Sequence, residues 1–400
     1  MKKMIAREAT RNSEATGSSR AVIYTIILSQ FGFAFSINVI LSFMPFYILD
    51  ISQYSKGQTM VWIGLIMGMN SFFMAAAAPF WGGMTSKFSS KILYERVFLF
   101  SGFIVLLMGF TKSLPLLLAL RIIQGTLGGS STIGLFMVSR LSSREKLAGN
   151  ISLYQNSITA GQLLSPPVGA YIVVHMGYTA PFILSSFLIF AALLLCHLYI
   201  ADIGPNQSPT ETKPTSNRQV VYGWTISFIA TINLTFLPSI LPGILEGFSL
   251  RGDAALKSAG FIMMGYTATA IIGNYLISNL TPAARIKKTI VAACLFSALL
   301  QLVLYFAPGV IYFTAVRMLQ TGAIAAVISL VMSEFAGEVG GGKIGFLNSA
   351  RFAGNGAGPM LATFILARAD LLSLYLVIAL STVGSALAFL YSERKPVASA

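Results

Sequence analysis

Charged side chains are scarce in this sequence: they make up 10% of its 400 residues, whereas hydrophobic residues make up 55%. A soluble domain carries about 25% charged residues, so the composition excludes an ordinary water-soluble fold. Apolar stretches long enough to cross a hydrocarbon core roughly 30 Å thick recur along the chain. The sequence therefore predicts a protein that is embedded in the lipid bilayer.

Cysteine and histidine are equally scarce, with two of each. Cys196 and Cys294 lie in separate apolar stretches, and His175 and His197 have no partners at metal-ligand spacing. We therefore predict no disulfide, metal site or cofactor. The sequence also contains no P-loop and no nucleophile–base signature, which argues against an ATP-driven pump and an enzyme.

Acidic residues are outnumbered by basic ones, 13 to 27, for a net charge of +14. The basic residues lie in short segments between apolar stretches and form no single patch, so we predict no nucleic-acid partner. Placing both termini in the cytoplasm leaves 19 Lys and Arg at cytoplasmic segments or the adjoining span ends, and 5 at the outer side. The remaining three are Arg121, Arg317 and Arg351, which lie inside predicted spans.

Twelve membrane spans are predicted from the apolar stretches. Their approximate bounds are 21–49, 58–84, 92–112, 114–139, 149–175, 179–201, 220–245, 257–280, 288–307, 309–333, 344–367 and 371–391. The first is longer than the apolar region of a signal peptide, so we interpret it as a retained helix.

A polar stretch rich in Pro, Ser, Thr and Asn occupies residues 202–219 and predicts a flexible cytoplasmic linker. It divides the chain into two six-helix bundles, residues 21–201 and 220–391. Residues 1–20 and 392–400 are predicted cytoplasmic tails. The predicted fold is an all-α membrane protein of two pseudo-symmetric bundles.

An internal repeat supports this division. Arg121 and Gln124 recur 196 residues later as Arg317 and Gln320. "FMPFYILD", which ends the first span at Asp50, matches "LPGILE" at the end of the seventh span with the same offset. Parallel repeats of six helices are typical of secondary transporters, whose binding site lies near the bilayer midplane.

Three motifs resemble those of the major facilitator superfamily, within it the twelve-helix drug:proton antiporter branch. They are "PFWGGMTSKFSSK" (79–91) after the second span, "LLALRIIQG" (117–125) in the fourth, and "GQLLSPPVGA" (161–170) in the fifth. Gly82, Lys87 and Lys91 match the first motif, although Ser86 stands where an aspartate is usual. Gly161, Pro166 and Gly169 match the fifth-span motif in sequence.

The resemblance implies a monomeric secondary transporter that works by alternating access, exports rather than imports, and couples to protons. The short loops suggest a bacterial inner (plasma) membrane. Glycines four residues apart, such as Gly125 and Gly129, let helices approach closely. We predict that these close contacts also slide during transport, the alternative being static packing.

The arginines inside the spans indicate the cargo. Such an arginine costs about 2.5–3.5 kcal/mol to insert, so it faces the bundle interior and carries function by default. All 13 acids lie in tails, loops or span ends. A cavity with arginines and no acids favours anionic or zwitterionic cargo, such as a carboxylate siderophore or an anionic drug, over lipophilic cations.

Other interpretations stay open. Each arginine could instead tie helices together by bonding carbonyls. Broad multidrug efflux, import of organic anions, and a receptor or scaffold on the same fold are the alternative functions.

Candidate site residues follow from polarity, position and resemblance. The predicted substrate-binding residues are Arg121, Gln124, Arg351, Gln30, Phe33, Asn38, Asn70, Tyr154, Asn156, Asn233, Tyr266, Gln320, Asn348 and Asn355. The predicted coupling or gating residues are Asp50, Glu246, Arg317, Gly82, Lys87, Gly161, Pro166 and Gly169. Asp50 and Glu246 are the first candidates for proton carriers because arginine does not release its proton in proteins. The alternative is that both are solvated loop charges.

Overall fold

The computed structural model describes residues 2–84, 87–143, 146–200, 217–335 and 341–391, and within them the secondary structure is helical throughout. The helices are α1 Lys2–Ile51, α2 Lys56–Met84, α3 Ser90–Phe110, α4 Leu114–Thr126, α5 Ser130–Leu141, α6 Leu147–Met176, α7 Thr179–Tyr199, α8 Asn217–Thr235, α9 Leu237–Gly247, α10 Gly252–Leu280, α11 Ile286–Val303, α12 Val310–Phe335, α13 Gly341–Leu366 and α14 Leu371–Tyr391. Short 3-10 turns precede and follow α11.

The predicted membrane spans correspond to these helices. Within the described ranges, eleven helical segments are long and apolar enough to cross a membrane. The remaining predicted span, 344–367, corresponds to α13, which is 26 residues long but carries Arg351, Asn355 and several glycines. The all-helical, multi-pass membrane fold is therefore confirmed.

Helix ends define two sides of the molecule. We call the side where α2 ends and α3 begins the terminal side, because α14 also ends there, and the opposite side the distal side. On the distal side, Gly177 and Gly252 have φ angles of 77° and 55°, which favour glycine and allow sharp turns between spans. The predicted linker and C-terminal tail lie outside the described residues, apart from 217–219, which begin α8.

The fourth span is interrupted between α4 and α5, whereas the sequence predicts one helix. Gly129 has φ of 114° at this break. The carbonyls left without helical partners accept hydrogen bonds from side chains: Trp81 Nε1 donates to Thr126 O at 2.6 Å, and Arg96 Nη2 to Leu127 O at 3.1 Å. A backbone break at membrane depth requires such partners, since lipid supplies none.

The seventh span is interrupted at Phe236, between α8 and α9. Pro238 has no N–H to offer the carbonyl of Leu234, so the helical ladder loses a bond there. Arg317 replaces it, because Nη2 donates to Asn233 O at 2.8 Å and Leu234 O at 3.3 Å. The two interruptions lie in non-equivalent spans, so they break the internal symmetry of the repeat.

The two halves pack against each other mainly through two helix pairs, α2 with α13 and α6 with α10, with smaller contacts from α1 and α2 to α9 and from α1 to α10. A methyl group added at Gly68 would collide with the carbonyl of Gly356, and one at Gly260 would lie 2.9 Å from the carbonyl of Pro166. These contacts lie toward the distal side. Of the predicted glycine pair, Gly125 does make a close contact, against Asn70 of α2, whereas the prediction is wrong for Gly129, which lies at the break in the fourth span with a φ of 114°. The sliding of such contacts stays a prediction.

The terminal-side half of the same helices is more open. A methyl group added at Gly83 of α2 or at Gly149 of α6 would meet nothing within 4 Å. Phe80 of α2 and Tyr275 of α10 are 60% and 68% exposed. The halves therefore meet on the distal side and diverge toward the terminal side.

Candidate transport site

The first half carries a buried arginine–glutamine pair on α4. Arg121 and Gln124 are three residues apart, so they share a face of the helix, and Arg121 Nη1 donates to Gln124 Oε1 at 2.7 Å. Arg121 Nε donates to Ile66 O of α2 at 3.1 Å. Asn70 of α2 completes the set, with Nδ2 3.2 Å from Arg121 O and 3.4 Å from Gln124 Oε1. These bonds tie α2 to α4.

Gly125 allows this close approach. A methyl group there would collide with the backbone carbonyl of Asn70. The glycine that follows the Arg–Gln pair in sequence is therefore a packing position for α2.

The second half repeats the pair on α12. Arg317 Nη1 donates to Gln320 Oε1, again at 2.7 Å, and Gln320 Nε2 donates to Gln301 Oε1 of α11. The guanidinium carbon lies 4.8 Å and 5.2 Å from the ring centres of Phe236 and Tyr266. Tyr266 follows Asn70 by the repeat offset of 196 residues, so an aromatic ring takes the place of an amide.

Neither buried arginine contacts a carboxylate in the part of the chain that the structure describes. Arg121 is 3% exposed and Arg317 is fully buried, and their partners are carbonyls, amides and rings. In this conformation both arginines tie helices together, the alternative that the sequence left open. Cargo binding by Arg121, Gln124 and Gln320 stays a prediction.

Arg351 differs from the other two arginines. Its side chain is exposed on α13, and it has no hydrogen-bond or ion-pair partner among the described residues. It lies five residues, about 7.5 Å along the helix, to the terminal side of Gly356, which contacts α2. A guanidinium without a partner among the described residues therefore lies just to the terminal side of the contact between the halves.

Five further candidates for substrate binding form bonds or packing contacts inside one half. Asn38 Nδ2 donates to Ala34 O one turn earlier, at 2.8 Å. The other four have partners on other elements: Gln30 accepts from Tyr94, Tyr154 donates to the carbonyls of Ser130 and Ser131, Asn233 donates to Thr382, and Phe33 packs on Phe98. Their role as cargo ligands stays a prediction.

Two of the remaining amides are accessible. Asn156 of α6 is exposed and Asn355 of α13 is half-buried, and neither has a hydrogen-bond partner among the described residues. The side chain of Asn348 lies outside the described part of the chain.

The fifth-span motif connects three helices. Methyl groups added at Gly161 and Gly169 would lie 2.8 Å from Phe35 N and 2.6 Å from Ser42 Oγ, so α6 packs tightly on α1. Pro166 meets Gly260 of α10 in the other half. The motif thus joins the first half to the second on the distal side.

The predicted proton carriers both lie at the distal side. Glu246 forms ion pairs with Lys56 at 3.7 Å and Arg251 at 3.3 Å, and the Lys56 pair joins the two halves. These side chains are about half to mostly exposed, so each pair contributes about 0–1 kcal/mol. Asp50 is exposed, and no described ion pair involves it. Burial, with the nearby carboxylates of Asp50 and Asp253, raises the pKa of Tyr178 to about 12.

The loop between the second and third spans is described in part. Gly82 lies near the end of α2, Lys87 is exposed after it, and Ser86 is outside the described residues. The sequence did not single out Trp81 or Arg96. The guanidinium carbon of Arg96 lies 3.2 Å from the centre of the Trp81 indole ring. The glycine pair at 128–129 was the available signal that the fourth span breaks and needs capping.

A matched Arg–Gln pair in each half and a contact between the halves on one side are typical of membrane transporters built from two related helical halves. The family model of the Major Facilitator Superfamily matches residues 26–226, and the chain belongs to this family. It is a transporter and not an enzyme.

Among curated relatives, the chain is 23% identical over 386 residues to the multidrug resistance protein MdtG of Klebsiella pneumoniae (strain 342), covering 92% of each chain. The MdtG protein of Yersinia enterocolitica is 23% identical over 382 residues, covering 92% of this chain and 91% of that one.

Solved structures of low identity show the same fold. The human organic anion transporter MFSD10 (TETRAN) superposes with a TM-score of 0.70 at 14% identity, covering 93% of this chain and 99% of that one. The nucleoside transporter NupG, as its D323A mutant, gives a TM-score of 0.70 at 13% identity, covering 93% and 100%.

Proposed function

We propose that this transporter exports a small anionic or zwitterionic organic molecule across the bacterial inner membrane, in exchange for protons. The observation that carries the proposal is Arg351, an exposed guanidinium without a described partner in the middle of α13. The planar fork of arginine suits a carboxylate or phosphate, which it binds with two parallel hydrogen bonds. Arg351 therefore replaces Arg121 as the principal candidate for cargo binding.

The distribution of acids supports this charge preference. Glu95 and Glu334 lie near the terminal-side ends of α3 and α12, where each has a basic partner, and Glu246 lies at the distal end of α9. A lipophilic cation at the midplane would meet none of these carboxylates. An anion would reach Arg351 without like-charge repulsion from these three described carboxylates.

The packing of the halves supports the direction. They touch on the distal side, at Gly68 and Gly260, and diverge toward the terminal side. With the termini in the cytoplasm, as the charge distribution predicts, this conformation takes up cargo from the cytoplasm. Breaking the distal contacts and closing the terminal side would then release it outside, which is alternating access.

Broad multidrug efflux is the second candidate. It is favoured by the similarity to relatives named multidrug resistance proteins. Such a pump would transport many unrelated compounds, whereas the proposal expects discrimination by charge.

Accumulation profiling of a deletion strain tests the proposal in cells. We expect a carboxylate- or phosphate-bearing compound to accumulate inside the deletion strain and to return to the wild-type level on complementation. Accumulation of lipophilic cations alone would contradict the anionic preference. Depletion of an anion inside the cells would instead indicate import.

Proton coupling is tested at Asp50 and Glu246. We expect Asp50→Asn to lower proton flux in liposomes about tenfold under an imposed pH gradient. The reason is that Asp50 is an exposed carboxylate that forms no ion pair among the described residues and is therefore free to bind and release a proton. Glu246→Gln should have a smaller effect, since Lys56 and Arg251 keep that carboxylate paired. Asp370→Asn, an exposed distal carboxylate elsewhere, is the control. Unchanged flux in both variants would exclude them as carriers.

A further inference from the structure

A groove of about 550 Å³ lies on the outer surface of the first half, between α3 and α7. Its walls are apolar and come from both helices: Leu99, Phe100, Phe190, Leu193 and Leu194. Leu99, Phe100 and Leu194 are 39%, 43% and 58% exposed, although they lie within membrane spans. The medium around these side chains is therefore the hydrocarbon of the bilayer.

The terminal-side end of the groove is charged. Glu95, Arg96 and His197 line it, and the guanidinium of Arg96 is engaged by the Trp81 ring and the carbonyls of Leu127 and Gly128. Lys91, which matches the loop motif after the second span, lies one turn before Glu95. Lys91 Nζ donates to His197 O at 2.9 Å and lies 3.8 Å from Glu95 Oε1, while His197 Nδ1 lies 3.4 Å from the same oxygen.

One carboxylate oxygen of Glu95 has no hydrogen-bond donor among the described residues. Its Oε1 is buried and accepts no hydrogen bond among the described residues, and the Lys91 ammonium and the His197 imidazole lie 3.8 Å and 3.4 Å from it. The side chain is 19% exposed at the groove. A carboxylate at the edge of the hydrocarbon is stabilised by a hydrogen bond from a positively charged donor.

The dimensions and charges of the groove together match a ligand with an acyl chain and a charged headgroup. Leu99 lies eight residues beyond Lys91, or about 12 Å along α3, so the groove runs from the polar interface into the bilayer. An acyl chain fits an apolar channel that runs from the interface into the bilayer. A headgroup at its mouth would meet a base, Lys91, next to an acid, Glu95, which suits a phosphate beside an ammonium.

We propose that this groove binds one phospholipid with a primary ammonium headgroup, of the phosphatidylethanolamine class. Its ammonium donates to Glu95, its phosphate accepts from Lys91, and one acyl chain lies along Leu99, Leu193 and Leu194. The quaternary ammonium of phosphatidylcholine has no N–H to donate, so the site discriminates between the two lipids. A purely anionic headgroup would bring phosphate to Lys91 but leave Glu95 without a donor.

Native mass spectrometry of the full-length transporter tests this proposal. The protein is delipidated in detergent and then mixed with equal amounts of phosphatidylethanolamine, phosphatidylcholine and phosphatidylglycerol of the same acyl chains. We expect one phosphatidylethanolamine to bind with about tenfold preference over each of the others. Glu95→Gln should reduce the preference to about twofold. Glu334→Gln, which removes a comparably exposed paired acid in the second half, should leave it unchanged.

A second pair of variants tests the acyl chain position. Leu194→Trp should fill the groove and abolish the bound lipid, whereas Leu198→Trp, one turn later and 64% exposed outside the groove, should not. Both positions face lipid, so neither change disturbs the buried core. Equal binding of the three lipids to the wild type, or retention of the preference in Glu95→Gln, would overturn the proposal, as would retained lipid in Leu194→Trp. The readout is binding, so it is independent of cargo and direction of transport.

Discussion

Replacing Gly68 with leucine is expected to lower transport about tenfold or more. Gly68 faces Gly356 across the contact between α2 and α13, and even a methyl group would collide with the Gly356 carbonyl and lie 2.7 Å from Met360 Cγ. A leucine side chain therefore holds the halves apart on the distal side. The transporter can then no longer close its distal side, which alternating access requires. Initial rates of cargo flux in liposomes measure the resulting loss of transport.

Gly83→Leu is the matched control for this variant. It makes the same change on the same helix, at a position where an added methyl group meets nothing within 4 Å. Reactivity of a cysteine placed on the distal ends of the spans should rise in Gly68→Leu only. Normal flux in Gly68→Leu, or an equal loss in Gly83→Leu, would contradict the role of the distal contact.

The second large effect is expected on stability, at Arg317. Arg317→Met keeps much of the side-chain volume but removes the donors to Asn233 O, Leu234 O and Gln320 Oε1. The carbonyl of Leu234 has no alternative partner in its own helix because residue 238 is proline. We expect the free energy of unfolding to fall by about 3 kcal/mol, measured by denaturant titration in detergent micelles.

Two controls separate this effect from loss of charge alone. Arg251→Met removes a side chain that is 79% exposed in a distal ion pair and should change stability by less than about 0.5 kcal/mol. Arg121→Met should cost less than Arg317→Met, because Ile66 lies within the unbroken helix α2 and keeps its helical partner. Equal losses at Arg121 and Arg317 would contradict the extra stabilisation that Arg317 gives to the interrupted seventh span.

The architecture could be predicted from the sequence because hydropathy and the repeat are properties of the chain itself. The spacing of Arg121 and Gln124 placed both on one face, and their recurrence at 317 and 320 correctly indicated an equivalent pair. Which carbonyls these arginines contact could not be predicted, since that depends on how α2 and α8 lie beside them.

The interruptions of the fourth and seventh spans illustrate the same limit. Gly128, Gly129 and Pro238 are visible as helix breakers, yet hydropathy continues across them and predicts unbroken spans. Their caps, Arg96 and Arg317, come from other helices and so carry no local signal. The groove beside Glu95 likewise exists only once α3 and α7 are packed.

Charge selection by Arg351 is the central claim, and transport by the purified protein in liposomes tests it most directly. Flux of a fluorescent organic dicarboxylate is compared with flux of ethidium, for wild type, Arg351→Gln and the exposed distal control Arg368→Gln. We expect wild type and Arg368→Gln to transport the anion and not ethidium, and Arg351→Gln to lose about tenfold of the anion flux. Rapid ethidium transport together with no transport of organic anions would contradict the proposal.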